Sequence, residues 1–288
     1  MFIHGREAYR RNALLILYTF YKNVLYVTAQ FFFGFWSAFS GQPLYEPMIY
    51  QLYNITMTSL PIMYFALFDF EHEKDVDPIR PRNLQDKMTK YFFMKHPHLY
   101  RIGINNSCFS ITHFLRWVFY GLFHALMVYM FVFHFLLIPG QTLTSGKDIG
   151  FWVVGHVVYG SCVMVANTVM IFKFNNYTGW GEILCMASML CFFTLYFLEN
   201  LLSMFPQVYL VFDTTFMQPQ VWSAISLTLL TTAMLELFWY RLHYLDLFGM
   251  KKAIDVEELS SNSELVGLIQ SNGPKAKETE MGSLNANQ

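Results

Sequence analysis

Two long apolar stretches contain polar side chains that could hold a charged or hydrogen-bonding ligand. In the first stretch, residues 13–39, Lys22 and Asn23 stand well inside the apolar run. Three more polar residues occur at helical spacing from Asn23: Thr19, Tyr26 and Gln30. In a helix this spacing places them on one face. A lysine ammonium supplies a positive charge and amides offer donors and acceptors, so this face could bind an anionic or strongly polar group.

The second stretch, residues 49–70, carries Asn54 and Thr58 four residues apart, with Ser59 next in sequence. Pro61 has no backbone N–H, so a helix here would leave the carbonyl of Met57 without its usual donor. A kinked helix with a free carbonyl beside Asn54 and Thr58 could bind a polar group. The alternative is a kink whose carbonyl is satisfied by neighbouring helices or water.

Lys22 is the most informative of these residues. A lysine near the centre of a bilayer costs about 2.5–3.5 kcal/mol, so its presence needs a reason. One reason is a ligand of opposite charge. The other is a buried ion pair with Glu199 or Glu236, although both glutamates stand near the ends of their apolar stretches.

No metal site and no catalytic residue are expected. Four histidines fall in apolar stretches without the i, i+4 pairing that a metal site on one helix favours, namely His113, His124, His134 and His156. The four cysteines have no CxxC spacing and resemble small buried apolar residues. The net charge of −1 gives no basic surface for nucleic acid.

The composition explains what surrounds these polar residues. The chain is 55% hydrophobic, 19% aromatic and only 14% charged, more apolar than one soluble core of 288 residues requires. Six stretches are long enough to cross a bilayer as helices: 13–39, 49–70, 111–137, 149–172, 183–202 and 221–240. We therefore predict an all-α integral membrane protein, a bundle of six transmembrane helices.

The distribution of positive charge orients this bundle. Of the 19 Lys and Arg residues, 16 fall on the side of the N-terminus, only Lys147 falls in an outer loop, and Lys22 and Arg116 lie within spans. The excess marks the cytosolic side, so both termini are expected in the cytosol. Residues 249–288 lose the apolar periodicity and are expected to form a flexible cytosolic tail, or alternatively a regulatory peptide.

Specific strings along the first two spans carry a family resemblance. They are His4-Gly5-Arg6, Tyr9-Arg10, Tyr18 to Asn23, Gln30-Phe31, Phe39 to Gln42, Tyr45-Glu46, Tyr53-Asn54, Thr58 to Pro61 and Phe68-Asp69. In this order and spacing they resemble the fifth and sixth spans of P4-type ATPases, the phospholipid flippases. Ser161, Asn167 and the segment 218–222 resemble the eighth and tenth spans more loosely. Glu7 and Ala66 depart from the family pattern.

The resemblance implies a fold and a site. The chain would be the C-terminal half of a P-type ATPase membrane domain, with residues 1–12 ending a cytosolic stalk and residues 13–248 forming spans five to ten. Its function would be to move a phospholipid from the outer to the cytosolic leaflet. The residues that would contact the headgroup are Lys22, Asn23, Asn54, Thr58, Ser59 and Gln30.

The resemblance also implies partners. The substrate would be a phospholipid, with an aminophospholipid expected, although one lysine and two asparagines fit phosphatidylserine, phosphatidylethanolamine and phosphatidylcholine about equally well by charge. An accessory two-span β-subunit with a large external domain would assist it. The location would be the plasma membrane, the Golgi or an endosome.

Two family elements are missing from these 288 residues. Neither the DKTG string that carries the phosphorylated aspartate nor the GDG string that holds magnesium is present. The chain alone is therefore expected to hold no cofactor and not to hydrolyse ATP, while the complete protein would use ATP and magnesium. Met1 falls almost at the family's junction with its phosphorylation domain, which favours a fragment or a truncated gene model. The alternative is a non-enzymatic membrane protein, either a passive lipid-binding or scrambling module or a packing subunit.

Overall fold

A computed structural model describes residues 5–70, 101–104, 106, 108–136, 150–175, 179–202, 209 and 211–241. Within these ranges the ordered elements are helices and no strand occurs, in agreement with the predicted all-α class. The predicted tail at 249–288 and most of the long loop after residue 70 lie outside the described residues.

The helices follow the predicted apolar stretches closely. They are α1 (Gly5–Trp36), α2 (Pro47–Leu52), a π-helix (Tyr53–Met57), α3 (Ser59–Phe68), α4 (Arg101–Ile104), α5 (Ile111–Leu136), α6 (Phe151–Lys173), α7 (Gly179–Leu201), α8 (Phe212–Phe216) and α9 (Pro219–Arg241).

Four of these helices are long and apolar enough to cross a membrane: α5, α6, α7 and α9. The other two predicted spans are helical but differ in character. Helix α1 has 32 residues, a length of about 48 Å, but it carries Lys22, Asn23 and Gln30. The segment 47–68 is divided into α2, the π-helix and α3. Four of the six predicted spans are therefore found as long apolar helices in the described part of the chain, and the count of six stays a prediction.

The end of α1 differs from the predicted boundary for a local reason. The span was expected to reach Phe39, but Ala38 and Phe39 both have positive φ, 48° and 54°. The N–H of Phe39 donates to the carbonyl of Gly34 over 2.8 Å, which satisfies a carbonyl of the last turn. The chain has already turned out of the helix at Phe39, and α1 ends at Trp36.

Helix α6 is the central helix of the described bundle. In its most apolar window 89% of the residues are buried, against 28–33% in α5, α7 and α9. Its glycines allow neighbouring groups to pack closely against it. A Cβ on Gly155 would lie 2.2 Å from the carbonyl oxygen of Leu44, and one on Gly160 would lie 2.6 Å from the ring of Phe192.

The chain divides into two compact units, Met1–Met234 and Leu235–Gln288. The first unit contains the whole polar region of α1 and the segment 47–68, and its most extensive helix contact joins α1 to α5. Of the second unit, only residues 235–241 at the end of α9 are described.

Candidate functional site

Lys22 lies on the buried side of α1, where 4% of its surface is exposed. Its Nζ donates a hydrogen bond to the Thr58 hydroxyl over 2.8 Å. The ion pair with Glu199 that the sequence left open is not formed, because neither carboxylate oxygen of Glu199 has a hydrogen-bond partner in the described part of the chain. Among the described residues, the hydrogen bond that the structure shows for Lys22 is thus one to a neutral acceptor.

The irregular backbone between α2 and α3 places Thr58 opposite Lys22. Thr58 follows the π-helix with φ −137° and ψ −2°, outside the helical region, and its hydroxyl donates to the carbonyl of Tyr53 over 2.8 Å. The Tyr53 hydroxyl in turn donates to the backbone carbonyl of Lys22 over 3.1 Å. Short π-helical segments are frequent at functional sites, since the extra residue redirects the side chains.

Asn23 and Asn54 form an amide pair beside this bond. The Nδ2 of Asn54 donates to the Oδ1 of Asn23 over 3.0 Å, and Asn54 is exposed while Asn23 is half-buried. An amide has two donor hydrogens and an acceptor oxygen, so one bond leaves capacity on both side chains. The structure therefore brings Lys22, Asn23, Asn54 and Thr58 into one cluster.

The carbonyl of Met57, which Pro61 deprives of a helical donor, is not free. It accepts a hydrogen bond from the Nδ2 of Asn167 on α6 over 3.1 Å and another from the Ser188 hydroxyl on α7. Asn167 and Ser188 are both fully buried. The sequence left two alternatives, a carbonyl free for a ligand or one bonded by neighbouring helices. The structure shows the second, so the Met57 carbonyl is not available to a ligand.

Three other polar residues drawn from the sequence have contacts away from this cluster. The Oε1 of Gln30 accepts the backbone N–H of Leu44 over 3.1 Å, which ties the loop after α1 to the helix. The Ser59 hydroxyl donates to the carbonyl of Ile55, and the Thr19 hydroxyl donates to the carbonyl of Leu15 over 2.8 Å. The last two are local i−4 bonds.

Tyr26, the remaining member of the polar line, is part of a buried aromatic stack. Its ring lies between those of Tyr45 and Tyr53, with centroids 4.5 and 4.3 Å away and interplanar angles of 10°. Its hydroxyl has no hydrogen-bond partner among the described residues, whereas the Tyr159 hydroxyl donates to the carbonyl of Ile49 over 2.8 Å. The stack fixes the π-helix against α1 and α6 and thereby positions Thr58 and Asn54.

Sequence reasoning did not assign roles to Tyr53, Asn167 and Ser188 as supports of the site. A signal for two of them exists in the sequence. A proline inside a buried helix leaves one carbonyl that must find a donor, so an asparagine and a serine inside the apolar stretches of α6 and α7 were candidates for that donor. Which of the polar residues reaches Met57 depends on the packing of the helices.

The apolar helices of crossing length, with a polar cluster on α1 and the segment 47–68, define an integral membrane protein of several spans. Comparison with known proteins identifies its family. The sequence model of the C-terminal region of phospholipid-translocating P-type ATPases matches residues 1–245, and the chain belongs to that family.

The curated relatives that match the chain are named as phospholipid-transporting ATPases. The chain is 30% identical over 190 residues to Phospholipid-transporting ATPase IH of Mus musculus, an alignment that covers 64% of the chain and 15% of the relative. It is 29% identical over 193 residues to Phospholipid-transporting ATPase 10 of Arabidopsis thaliana, covering 64% and 14%. A phospholipid-transporting ATPase of Schizosaccharomyces pombe is 27% identical over 190 residues, covering 66% and 14%. The chain thus aligns with a small part of each relative.

Proposed function

We propose that this chain is the membrane portion of an ATP-driven flippase that moves a phospholipid from the outer to the cytosolic leaflet. In this proposal Lys22, Asn23 and Asn54 contact the headgroup during its passage. The observation that carries it is the cluster itself: a buried lysine bonded to a neutral hydroxyl, beside an amide pair that reaches the surface.

The charge of Lys22 supports a negatively charged ligand. A buried ammonium bonded to a neutral hydroxyl keeps much of its desolvation cost, which an anion bound beside it would offset. A phosphate oxygen of the headgroup, or the carboxylate of a phosphatidylserine headgroup, supplies that negative charge. The Thr58 hydroxyl is the acceptor that a headgroup oxygen would replace or join, so binding gives the ammonium a charged acceptor in addition to or in place of a neutral one.

The amide pair supports the polar part of the same ligand. Asn54 lies at the surface of the described bundle next to Asn23, where a headgroup entering from the side would meet it. Amide groups can take the place of the water that surrounds the headgroup outside the protein. The acyl chains would stay in the bilayer, because only the polar end needs these contacts. An aminophospholipid is the substrate we expect, with its amine bound by an amide oxygen.

The energy for transport would come from a part of the protein outside this sequence. The alignments cover 14–15% of the length of the relatives, and the strings expected to bind the phosphoryl group and magnesium are missing from the 288 residues. We propose that the complete protein uses ATP and magnesium, that both termini of this chain are cytosolic, and that a two-span β-subunit docks on the outer loops. The plasma membrane, the Golgi and endosomes are the membranes we expect.

The proposal is tested by substitution in the complete protein. Lys22→Ala and Asn54→Ala are expected to lower the ATP turnover that added phospholipid stimulates by about tenfold or more, the factor that corresponds to 1.4 kcal/mol. Both variants should insert normally into the membrane. Gln51→Ala is the matched control, because Gln51 is also exposed and lies on the same broken helix, one turn before Asn54. Normal lipid stimulation in both variants would end the headgroup assignment.

A second experiment separates this function from passive lipid movement. The chain alone is reconstituted into vesicles with a fluorescent phospholipid, and dithionite added outside reports the lipid that reaches the outer leaflet. Without the ATP-consuming part we expect no movement above protein-free vesicles. Rapid movement without ATP would instead support the alternative of a scrambling module.

A further inference from the structure

We propose that Arg10 and Asp69 are positioning residues that make α1 and the segment 47–68 move as one rigid body. When the first turns of α1 are displaced, the Lys22 cluster then moves by the same amount. This inference rests on the proposed function, because it assigns a role in transport. Its structural part, the rigid coupling of two helical segments, can be tested independently.

Asp69 lies at the junction of three segments. It directly follows α3, and its side chain is completely buried. Its Oδ2 accepts a hydrogen bond from Arg10 of α1 over 2.8 Å, and its Oδ1 accepts the backbone N–H of Asn175, just after α6, over 3.0 Å. A carboxylate with both oxygens bonded to different segments fixes their relative positions more strictly than a single contact does.

Arg10 also has further contacts, one on α1 and one on α3. Its NH2 also donates to Glu7 over 3.1 Å, and its guanidinium lies 5.7 Å from the ring centre of Phe65 on α3. Although burial lowers the pKa of Arg10, the carboxylates of Glu7 and Asp69 outweigh it and raise that pKa above its ordinary value. The guanidinium therefore stays charged.

The neighbouring arginine adds a second bond to the same helix end. The NH1 of Arg11 donates to the carbonyl of Leu67 over 2.9 Å, and the last turn of a helix has carbonyls without intrahelical donors. We refer to the contacts of Arg10 and Arg11 with Leu67 and Asp69 as the clasp.

The clasp and the Lys22 cluster together attach the same two segments at two separate places. Arg10 and Lys22 are twelve residues apart on α1, about 18 Å along the axis. On the other segment, Asp69 and Thr58 are the corresponding partners. A single attachment allows two helices to pivot, whereas two attachments this far apart prevent both pivoting and sliding. A movement of the first turns of α1 must therefore carry Asn54 and Thr58 with it.

The direct test measures the distance between the two segments. Spin labels are placed on Asn12→Cys and Phe68→Cys, both exposed positions beside the clasp, in the complete protein with its native cysteines replaced by alanine. Pulsed electron paramagnetic resonance is recorded in the resting state and with magnesium and beryllium fluoride, a phosphate mimic. We expect one narrow distance in both states. A change of about 5 Å, one helical turn, in the otherwise unaltered chain would overturn the rigid body.

The kinetic test separates positioning from headgroup binding. Arg10→Gln and Asp69→Asn should lower the maximal lipid-stimulated ATP turnover at least about tenfold and broaden the label distance, while the phospholipid concentration for half-maximal stimulation changes less than about twofold. Arg10→Lys keeps the charge and should recover part of the turnover. Arg116→Gln, an exposed arginine on α5, is the matched control and should behave like the parent protein.

Two results would contradict the positioning role. One is parent-like turnover in Arg10→Gln and Asp69→Asn. The other is a rise in the half-maximal phospholipid concentration equal to the fall in turnover, which would indicate lost binding. If Lys22→Ala and Asn54→Ala both show normal lipid stimulation, the headgroup assignment fails, while the label distance in the parent protein still decides whether the two segments move together.

Discussion

The ammonium of Lys22 and the hydroxyl of Thr58 meet over 2.8 Å, between α1 and the break that separates the π-helix from α3. The Thr58 hydroxyl is the middle of a short hydrogen-bond chain, because it accepts from Lys22 and donates to the carbonyl of Tyr53. A charged donor held by one neutral acceptor is stable enough to be ordered and is replaceable by a stronger acceptor. In the proposed function, a negatively charged group of the lipid would take the place of this neutral acceptor.

Thr58→Val tests the role of this hydroxyl in the resting structure. The substitution keeps the shape but removes the acceptor of Lys22 and the donor to Tyr53. Leaving buried polar groups unpaired costs about 1–3 kcal/mol, so the free energy of unfolding in detergent should fall by that amount. Thr56→Val is the control, because Thr56 makes only a local bond to the carbonyl of Leu52. Equal losses for the two variants would show that the contact with Lys22 contributes nothing.

The Met57 carbonyl provides a double-mutant prediction. Asn167→Ala should destabilise the protein by about 0.5–1.5 kcal/mol, since it removes one buried donor from Met57 and leaves that of Ser188. In a Pro61→Ala background the restored backbone N–H can serve the same carbonyl, so the cost of Asn167→Ala should fall by about 1 kcal/mol. Additive effects would contradict the link between Pro61 and Asn167.

The control for that cycle lies on the same helix. The Ser161 hydroxyl on α6 is buried and has no hydrogen-bond partner among the described residues. Ser161→Ala should therefore change the free energy of unfolding by less than about 0.5 kcal/mol, in either background.

The stacked tyrosines allow a matched comparison of two hydroxyls. The rings of Tyr26 and Tyr53 lie 4.3 Å apart, but only the Tyr53 hydroxyl donates a hydrogen bond, to the carbonyl of Lys22. Tyr53→Phe should cost about 0.5–1.5 kcal/mol of unfolding free energy, while Tyr26→Phe should be neutral or slightly stabilising, because its hydroxyl is buried without a partner. Thermal unfolding of the two variants is measured under identical conditions. A larger loss of stability in Tyr26→Phe than in Tyr53→Phe would contradict the assigned hydrogen bonds.

Gly155→Ala probes the packing of α6 against the loop after α1. The added methyl would stand 2.2 Å from the carbonyl oxygen of Leu44, and backbone must move to admit it. Such overpacking typically costs about 1–3 kcal/mol, measurable as a lower unfolding temperature. Gly179→Ala at the start of α7 meets no atom within 4 Å and should be tolerated. Indifference to both substitutions would show that the loop does not rest on α6.

The fold was largely predictable because hydrophobic length is a local property. The apolar stretches predicted α5, α6, α7 and α9 to within a few residues, as at α5, expected at 111–137 and found at Ile111–Leu136, whereas α1 begins at Gly5, before its stretch. The division of 47–68 was only partly foreseen. Pro61 predicted a kink, but the π-helix before it depends on the bonds that Thr58 makes with Tyr53 and Lys22.

The sequence by itself determined that Lys22 needs a reason to lie in an apolar helix, that Asn54 and Thr58 share a face, and that the chain resembles the phospholipid flippases. Only the tertiary structure decided that Thr58 is the acceptor of Lys22 and that Asn167 and Ser188 satisfy Met57. These contacts join residues 36, 110 and 131 positions apart. Local spacing determines which face of a helix a side chain occupies. The partner across the interface is determined by how the helices pack, which the periodicity of the sequence does not predict.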